Sequence, residues 1–452
     1  MNRRDFLKNS AALAAAHTVA LPVMADGGTA DPAQGGERPA QALIDSEPML
    51  QNYAETSIGV AFSVTDQANG YVVYGERADL SDGRKVYCGG YRVTDMNPDV
   101  MLVRLTGLKP ATTYYYRIGA DRIHYGGGYD MRITGNEESR RVYSFRTAGA
   151  GAAGHFCVIN DTHMQWPAFE RVTAKIHELA PSCVIWNGDA CNTEESIQSQ
   201  KRIFLKPEVT LRDYAAQTPY LFCPGNHDSR GLANRHLERV WMFRQPDERS
   251  GRDWDLGRNF AVRMGDIALI GLDTAEDKMD TNPLFANLFT SAAYREAQVD
   301  WLRDALSRRE IATAPYLVAF CHIPLFDDNP KANPGDVAPA DKDPRYSHDF
   351  AAWQRTCARL WTPLLQEAGC QLVVCGHQHR YRFDKATDER TWAQMIGGGP
   401  EGKDVRSEAF ATVIEGEAKD GHLVVRAHNV VRGDMVGEYT FEPRRVRRRR
   451  RA

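Results

Sequence analysis

The 452-residue chain lacks the features that define several protein classes. It has nine cysteines, an odd number with no CxxC pair, which disfavours a disulfide framework and a zinc ribbon. No hydrophobic run reaches the roughly 20 residues that span a bilayer, so no transmembrane span is predicted, and there is no solenoid repeat. Lys and Arg number 56 against 59 Asp and Glu, which disfavours wholesale disorder and a globally basic nucleic-acid binder. The remaining class is an ordinary globular protein of two or three domains.

The first 25 residues have the pattern of a targeting segment. Arg3 and Arg4 precede a short apolar region from Ala11 to Val19, and Val23-Met24-Ala25 offers a small-x-small cleavage site. This segment resembles the twin-arginine signal peptide of bacteria. The resemblance implies export by the twin-arginine machinery and a periplasmic or secreted protein.

The other end of the chain is strongly basic. Residues 444–452 contain seven arginines, and residues 443–452 are predicted to form a disordered tail. Two interpretations stay open: a solvated tail beside the acidic body of the protein, or contact with anionic lipid or nucleic acid.

Composition divides the chain between these ends into three parts. Residues 26–46 are rich in Gly, Ala and Pro and are predicted to be a linker. Residues 47–148 contain short alternating strands without helices, which predicts a small all-β sandwich. Within it, the segment from Leu105 to Arg117 resembles the corner and strand of fibronectin type III-like domains. In residues 154–442 strands and helices alternate, which predicts an α/β domain.

Five polar clusters in the α/β domain each follow a predicted strand directly. They are Asp161-Thr162-His163, Gly188-Asp189, Gly225-Asn226-His227-Asp228, His322 and Gly376-His377-Gln378-His379. Loops at the carboxyl ends of strands in an open sheet converge on one crevice, so we expect these side chains to meet. Two aspartates, four histidines and an asparagine suit Mn, Fe or Zn. Seven ligands exceed what one ion needs, which predicts two metal ions, divalent or of mixed valence, that share a carboxylate.

This ordered set of motifs resembles the calcineurin-like metallophosphoesterase superfamily. With the preceding sandwich, the arrangement is similar to that of purple acid phosphatases and their bacterial relatives. The resemblance implies an α/β (α+β) four-layer sandwich with mixed central sheets, preceded by a fibronectin type III-like sandwich. It also implies the ligands of two metals: Asp161, His163 and His379 for the first, Asn226, His322 and His377 for the second, and Asp189 as the bridge. His227 would stabilise phosphoryl oxygens or protonate the leaving group, and Asp228 would orient His227.

Two positions depart from specific branches of this superfamily. Asn192 stands where purple acid phosphatases have the tyrosine that binds ferric iron, and His163 stands where they have glycine. No purple ferric centre is therefore expected. Asn192-Thr193-Glu194 also replaces the Asp-Arg-Gly of serine/threonine protein phosphatases, which lowers the expectation of a protein phosphatase. Arg230 offers an alternative phosphate contact, and an ordinary surface role for it is equally open.

The functional hypothesis is an exported binuclear metallohydrolase, in which metal-bound hydroxide attacks phosphorus in a phosphate mono- or diester. The substrate would be a phosphorylated small molecule or polymer. Two alternatives stay open: a surface protein that binds a glycan or envelope polymer and has a structural metal site, and a nuclease aided by the arginine tail. Two irregular segments, Asp273 to Thr290 and Pro324 to Ser347, are expected to shape the mouth of the site.

Overall fold

A computed structural model describes residues 42–89, 97–243, 256–278, 290–326, 350–400 and 410–445, together with 280, 282 and 288. The predicted leader at 1–25, all but the end of the linker at 26–46, and residues 446–452 of the tail lie outside the described residues. Residues 327–347 of the loop after His322 also lie outside them.

The described strands and helices follow the order that the sequence predicts for an all-β region and then an α/β region. The strands are β1 (Met49–Gln51), β2 (Ser57–Ser63), β3 (Ala68–Gly75), β4 (Arg84–Tyr87), β5 (Val100–Thr106), β6 (Thr113–Gly127), β7 (Asp130–Glu138), β8 (Tyr143–Arg146), β9 (His155–Ile159), β10 (Cys183–Trp186), β11 (Tyr220–Phe222), β12 (Phe260–Met264), β13 (Ile267–Leu272), β14 (Tyr316–Cys321), β15 (Leu372–Cys375), β16 (Arg382–Asp384), β17 (Ala393–Ile396), β18 (Thr412–Lys419), β19 (His422–Asn429) and β20 (Asp434–Phe441). The α-helices are α1 (Trp166–Leu179), α2 (Ile197–Phe204), α3 (Ser291–Ser307), α4 (Arg309–Ala312) and α5 (Phe350–Glu367).

Three sheets organise these strands. A nine-stranded mixed sheet has the order β20-β19-β18-β9-β10-β11-β1-β2-β5, and a six-stranded mixed sheet has the order β12-β13-β14-β15-β17-β16. The third sheet has the order β4-β3-β6-β7, with β8 also paired to β6. Strands β9, β10 and β11 are parallel to one another, and so are β13, β14, β15 and β17. Each parallel group therefore directs its carboxyl ends to one edge.

The alternation of side chains along β9 shows how the layers form. Phe156 and Val158 lie in the core between the two large sheets, whereas Cys157 and Ile159 face the core under α1 and α2. A third core lies between the six-stranded sheet and helices α3 and α5. The order helix, sheet, sheet, helix gives four layers, as the sequence predicts.

The N-terminal strands share a sheet with the α/β region. Strands β1, β2 and β5 extend the nine-stranded sheet, because β1 pairs in parallel with β11 through Gln51 and Tyr220. The third sheet covers these strands, and an apolar core that includes Phe62, Met101 and Tyr116 fills the space between them. The domain boundary predicted at residue 148 stays a prediction. Strands from both sides of this boundary are hydrogen-bonded to each other in the nine-stranded sheet.

The sequence predicts several of the buried strands. The apolar runs Cys183–Trp186, Ile267–Leu272 and Tyr316–Cys321 predict strands, and they match β10, β13 and β14, whereas the buried strands β1 and β12 were missed. Strands β4 and β7 were not expected, because their side chains are largely exposed and lack an apolar alternation. All nine cysteines lie among the described residues, none of them forms a disulfide bond, and eight are buried. Among the described residues, no helix has the length and hydropathy of a membrane span.

One buried carboxylate links three strands of the nine-stranded sheet. Glu415 on β18 lies 3.0 Å from His155 Nε2 on β9 and 2.9 Å from His428 Nε2 on β19. Hydrogen bonds from these two histidines lower the pKa of Glu415 against the opposing effect of burial.

The first arginine of the predicted disordered tail belongs to the fold, which corrects the expectation for Arg444. Its guanidinium donates to the carbonyl oxygens of Ala314 at 2.8 Å and Ala368 at 2.7 Å, and also to that of Ile311. These carbonyls lie near the carboxyl ends of α4 and α5, where helices leave backbone acceptors unpaired. Charge composition alone could not reveal this pairing, whereas Arg445 is exposed as expected.

Candidate metal centre

All seven predicted metal ligands lie just beyond the carboxyl ends of strands. Asp161 and His163 follow β9, Asp189 follows β10, and Asn226 follows β11 in the nine-stranded sheet. The others, His322, His377 and His379, follow β14 and β15 in the six-stranded sheet. Because the two sheets pack face to face, the loops from both sheets meet at one edge.

Five of these ligands have a backbone conformation that non-glycine residues rarely adopt. The φ angles are 49° at Asp161, 44° at His163, 51° at Asp189, 70° at His377 and 56° at His379. Such left-handed conformations are unfavourable unless the surrounding structure fixes them, and they concentrate at functional sites.

Two glycines in the motifs permit the close approach of these loops. A Cβ on Gly188, which has φ +83°, would lie 2.4 Å from His322 Nδ1, and one on Gly225 would lie 2.3 Å from Asp189 Oδ1. The glycines before Asp189 and Asn226 therefore leave room for the ligand side chains themselves.

The ligand atoms form two clusters that share Asp189. The first cluster contains Asp161, His163, Asp189 and His379, whose ligand atoms lie within 4.8 Å of one another. In it, His163 Nε2 lies 3.1 Å from His379 Nε2 and 3.5 Å from Asp189 Oδ2. His379 Nε2 is also 3.3 Å from Asp161 Oδ1. Two imidazoles and two carboxylates thus converge on one point.

The second cluster contains Asp189, His322 and His377. His322 Nε2 lies 3.1 Å from Asp189 Oδ2, and His377 Nδ1 lies 3.1 Å from Asn226 Oδ1. The amide oxygen of Asn226 therefore joins this cluster. The structure brings all seven residues together in two adjacent clusters that share Asp189, and their role as metal ligands stays a prediction.

The donor set fits two divalent transition-metal ions. His322 Nδ1 lies 2.9 Å from the carbonyl oxygen of Asn187, which fixes the ring, while the buried Nε2 has no hydrogen-bond partner among the described residues. Although burial acts in the opposite direction, Asp189 and Asp161 raise the pKa of His322 to about 10. The two buried carboxylates therefore favour a positive charge beside them, which a protonated histidine or a metal ion can supply.

His227 lies beside the first cluster without joining it. Its ring packs edge-on against His163, with 5.0 Å between centroids, and its backbone N–H donates to Asp189 Oδ1 at 2.9 Å. Its Nδ1 lies 2.9 Å from the carbonyl oxygen of Asn192, and burial lowers the pKa of His227. A neutral ring therefore donates from Nδ1 and keeps Nε2 as an acceptor.

Asp228 does not reach the ring that it was expected to orient. Its Oδ2 accepts the backbone N–H groups of Asp189 and Gly225, both at 2.8 Å, and its Oδ1 accepts that of Ala190 at 3.1 Å. The Asn192 carbonyl takes the position beside His227 instead. Burial and the charge of Asp189 raise the pKa of Asp228 to about 7. The geometry therefore assigns Asp228 to the support of two ligand loops.

The sequence motifs missed a carboxylate pair that holds Arg230. Glu276 makes a two-point ion pair with Arg230, at 2.9 Å to Nε and 2.7 Å to Nη2, and Asp277 Oδ1 lies 3.1 Å from Nη2. Arg230 Nη1 is 3.2 Å from His227 Nε2, which places the guanidinium at the edge of the site. Burial and Asp277 raise the pKa of Glu276 to about 7, while Arg230 opposes the shift. Only the prediction that Asp273 to Thr290 shapes the mouth pointed to this segment.

The family profile for calcineurin-like phosphoesterases matches residues 154–381, just over half of the chain. The chain belongs to the calcineurin-like phosphoesterase family. The match contains all five polar clusters, so the family explains why they occur in this order.

Curated relatives and solved structures agree with this assignment. Human acid phosphatase type 7 is 22% identical over 69% of this chain and 66% of its own length. Probable purple acid phosphatase 20 of Arabidopsis thaliana is 24% identical over 63% of this chain and 55% of its own length. The chain therefore spans less than two thirds of the length of these relatives.

Two solved structures share the fold at low sequence identity. Purple acid phosphatase PPD1 from yellow lupin (Lupinus luteus) seeds has a TM-score of 0.56 and 14% identity, and the match covers 87% of this chain and 73% of that one. PhoD has a TM-score of 0.57 and 11% identity, with 88% of each chain covered. These similarities establish a common mixed α/β phosphoesterase architecture.

Proposed function

We propose that this protein is a binuclear metal-dependent phosphoesterase that hydrolyses phosphate mono- or diesters. The observation that carries the proposal is the shared carboxylate of Asp189, which belongs to both ligand clusters. Membership of the calcineurin-like phosphoesterase family supports the same reaction class. The donor set supports Mn, Fe or Zn, since it contains imidazole, carboxylate and amide ligands and no thiolate.

Two such ions would supply Lewis acidity and lower the pKa of a water molecule at the site. The protein side chains would bind and orient the substrate beside them. Arg230, fixed by Glu276, presents Nη1 at the edge of the site and suits contact with phosphoryl oxygens. His227 Nε2 lies beside Arg230 Nη1. The negative charge of a bound substrate would offset the positive charge of Arg230 and so favour protonation of His227 at Nε2. His227 is thus suited to assist the leaving oxygen.

The proposal is tested by metal analysis combined with turnover of p-nitrophenyl phosphate and bis(p-nitrophenyl) phosphate. We expect two ions per active chain. Asp189→Asn should lower the occupancy of both sites together, whereas His227→Gln should keep two ions and lose at least about a hundredfold in turnover. Asp266→Asn, which changes an exposed aspartate outside the site, is the matched control. One ion per active chain, or no turnover of any phosphoester by metal-replete protein, would contradict the proposal.

We further propose that the chain is exported through the twin-arginine pathway to the periplasm or the exterior. The support is the Arg3-Arg4 pair with its apolar region and cleavage site. Replacement of both arginines by lysine should leave the uncleaved precursor inside the cell, with cell fractionation as the measurement. Equal export of the variant would argue against the proposal.

We also propose that residues 47–148 form a fibronectin type III-like unit fused to the phosphoesterase. Its support is the pair of facing sheets around an apolar core.

A further inference from the structure

A cavity lies next to the metal centre and is separate from it. Its volume is about 830 Å³, which is in the range of sites for small organic ligands. Pro224 and Ser229, which flank the segment with Asn226 and His227, contribute to its wall. None of the seven metal ligands is among its described lining residues, so the cavity is a separate space that adjoins the same loop.

The cavity is lined by three arginines: Arg104, Arg235 and Arg258. The Nη1 atom of Arg104 is buried and has no hydrogen-bond partner among the described residues. Burial lowers the pKa of Arg104 to about 10. Arg104 as a whole is half-buried. A partly buried cationic group without a partner is unfavourable, and a guanidinium suits pairing with phosphate, sulfonate or carboxylate oxygens.

The two acidic residues of the lining do not neutralise Arg104. Asp273 accepts the Ala275 N–H at 2.9 Å through Oδ1 and the Tyr294 hydroxyl at 3.1 Å through Oδ2. Glu238 is exposed, and its Oε1 lies 3.8 Å from His236 Nδ1. Among the described lining residues, arginines therefore outnumber carboxylates.

Much of the remaining described lining is apolar or aromatic. Leu102, Met242, Phe243 and Tyr294 are half-buried and line the cavity, and the Arg258 guanidinium lies 5.4 Å from the centre of the Phe243 ring. This combination suits a ligand that has both an anionic group and an apolar or aromatic body.

The N-terminal strands build one side of this cavity. Arg104 and Leu102 lie on β5, and Arg104 is directly opposite Gly59 on β2. A Cβ on Gly59 would lie 2.8 Å from Met242 Sδ, so the glycine provides space for the Met242 side chain. Gln51 on β1 donates through Nε2 to the Val240 carbonyl at 3.0 Å and accepts the Met242 N–H at 2.9 Å.

We propose that this cavity binds a small organic anion with an apolar or aromatic body, and that Arg104 of the N-terminal region pairs with its anionic group. The inference does not depend on the proposed hydrolytic function. It gives the N-terminal strands a role in binding a ligand at a place separate from the metal centre.

The test uses 8-anilinonaphthalene-1-sulfonate as the probe and N-phenyl-1-naphthylamine as its neutral counterpart, in fluorescence titrations of the full metal-replete chain. We expect one saturable sulfonate site per chain. Arg104→Gln should weaken binding of the sulfonate about tenfold or more, because one charge-assisted hydrogen bond is lost, and Arg104→Lys should restore part of the affinity. Binding of the neutral probe should change by less than about twofold.

One control separates the cavity from other sites. Arg432→Gln removes an exposed arginine outside the cavity and should leave the affinity unchanged. Equal binding of the sulfonate by wild type and Arg104→Gln would overturn the proposal, as would loss of binding in Arg432→Gln. If Arg104→Gln does not fold, Arg104→Lys serves in its place, and a sulfonate affinity equal to that of the wild type would overturn the proposal.

Discussion

The role of Asp228 can be decided by replacing its carboxylate with an amide of the same shape. In Asp228→Asn, one oxygen can still accept the N–H groups of Asp189 and Gly225, which now lie 2.8 Å from Oδ2. The new NH₂ group would then face the Ala190 N–H in place of an acceptor at 3.1 Å. The backbone N–H groups of Ala190 and Cys191 lose their acceptor, and two hydrogen bonds lose their charge, which should lower the free energy of unfolding by roughly 2–4 kcal/mol.

The assay is denaturant unfolding of the metal-free protein, so that altered metal binding does not contribute to the difference. His227→Gln changes the adjacent residue and removes the ring contacts with the Asn192 carbonyl and with Arg230 Nη1, but it leaves no backbone N–H without its acceptor, so its unfolding free energy should change by less than about 1 kcal/mol. If Asp228→Asn keeps the stability of the wild type within about 0.5 kcal/mol and loses only turnover, the structural role is refuted. That result would restore the expectation from sequence that Asp228 orients His227.

Three further changes test other contacts. Glu276→Gln should lower turnover about tenfold with unchanged metal content, because Arg230 loses its two-point ion pair; a fall in metal content measured by elemental analysis would contradict this. Glu415→Gln should destabilise the protein by about 2 kcal/mol at pH 7. The pKa of Glu415 is lowered in the fold, so this difference should shrink as pH falls below the ordinary glutamate value of 4.5. Unfolding curves at pH 5 and pH 3 measure the change, and a difference that instead grows would contradict it. Arg444→Ala should cost about 2–3 kcal/mol in denaturant unfolding while the exposed control Arg445→Ala changes little, and equal effects would refute the docking of Arg444.

The metal ligands could be predicted because local sequence determines their position. Each ligand follows a short buried strand directly, and strands such as Cys183–Trp186 and Tyr316–Cys321 are recognisable from apolar runs. Parallel strands then bring their carboxyl ends to one edge whatever the lengths of the connecting helices. The strand ends therefore predict that these side chains meet, whereas the division into two clusters that share Asp189 is what the resemblance to the phosphoesterase superfamily implies.

The supporting contacts could not be predicted, because they join residues without a motif or a periodic pattern. Glu276 and Asp277 lie in an irregular loop, so nothing in the sequence indicated that they hold Arg230. Asp228 is adjacent to His227 along the chain, which suggested a direct contact. In the fold the short 3₁₀ turn at His227–Ser229 directs the Asp228 carboxylate to backbone amides of the neighbouring loop.

The continuity of the nine-stranded sheet changes how the N-terminal region should be regarded. An independent sandwich would need few contacts with its neighbour, as linked domains usually have. Here β1 lies between β11 and β2, so removal of the N-terminal strands would leave β11 as an unpaired buried edge. Gln51 also fixes the segment around Met242 that lines the cavity next to the metal centre. Since the loop after β11 carries Asn226 and His227, the N-terminal strands stabilise the same part of the structure that positions the metal centre.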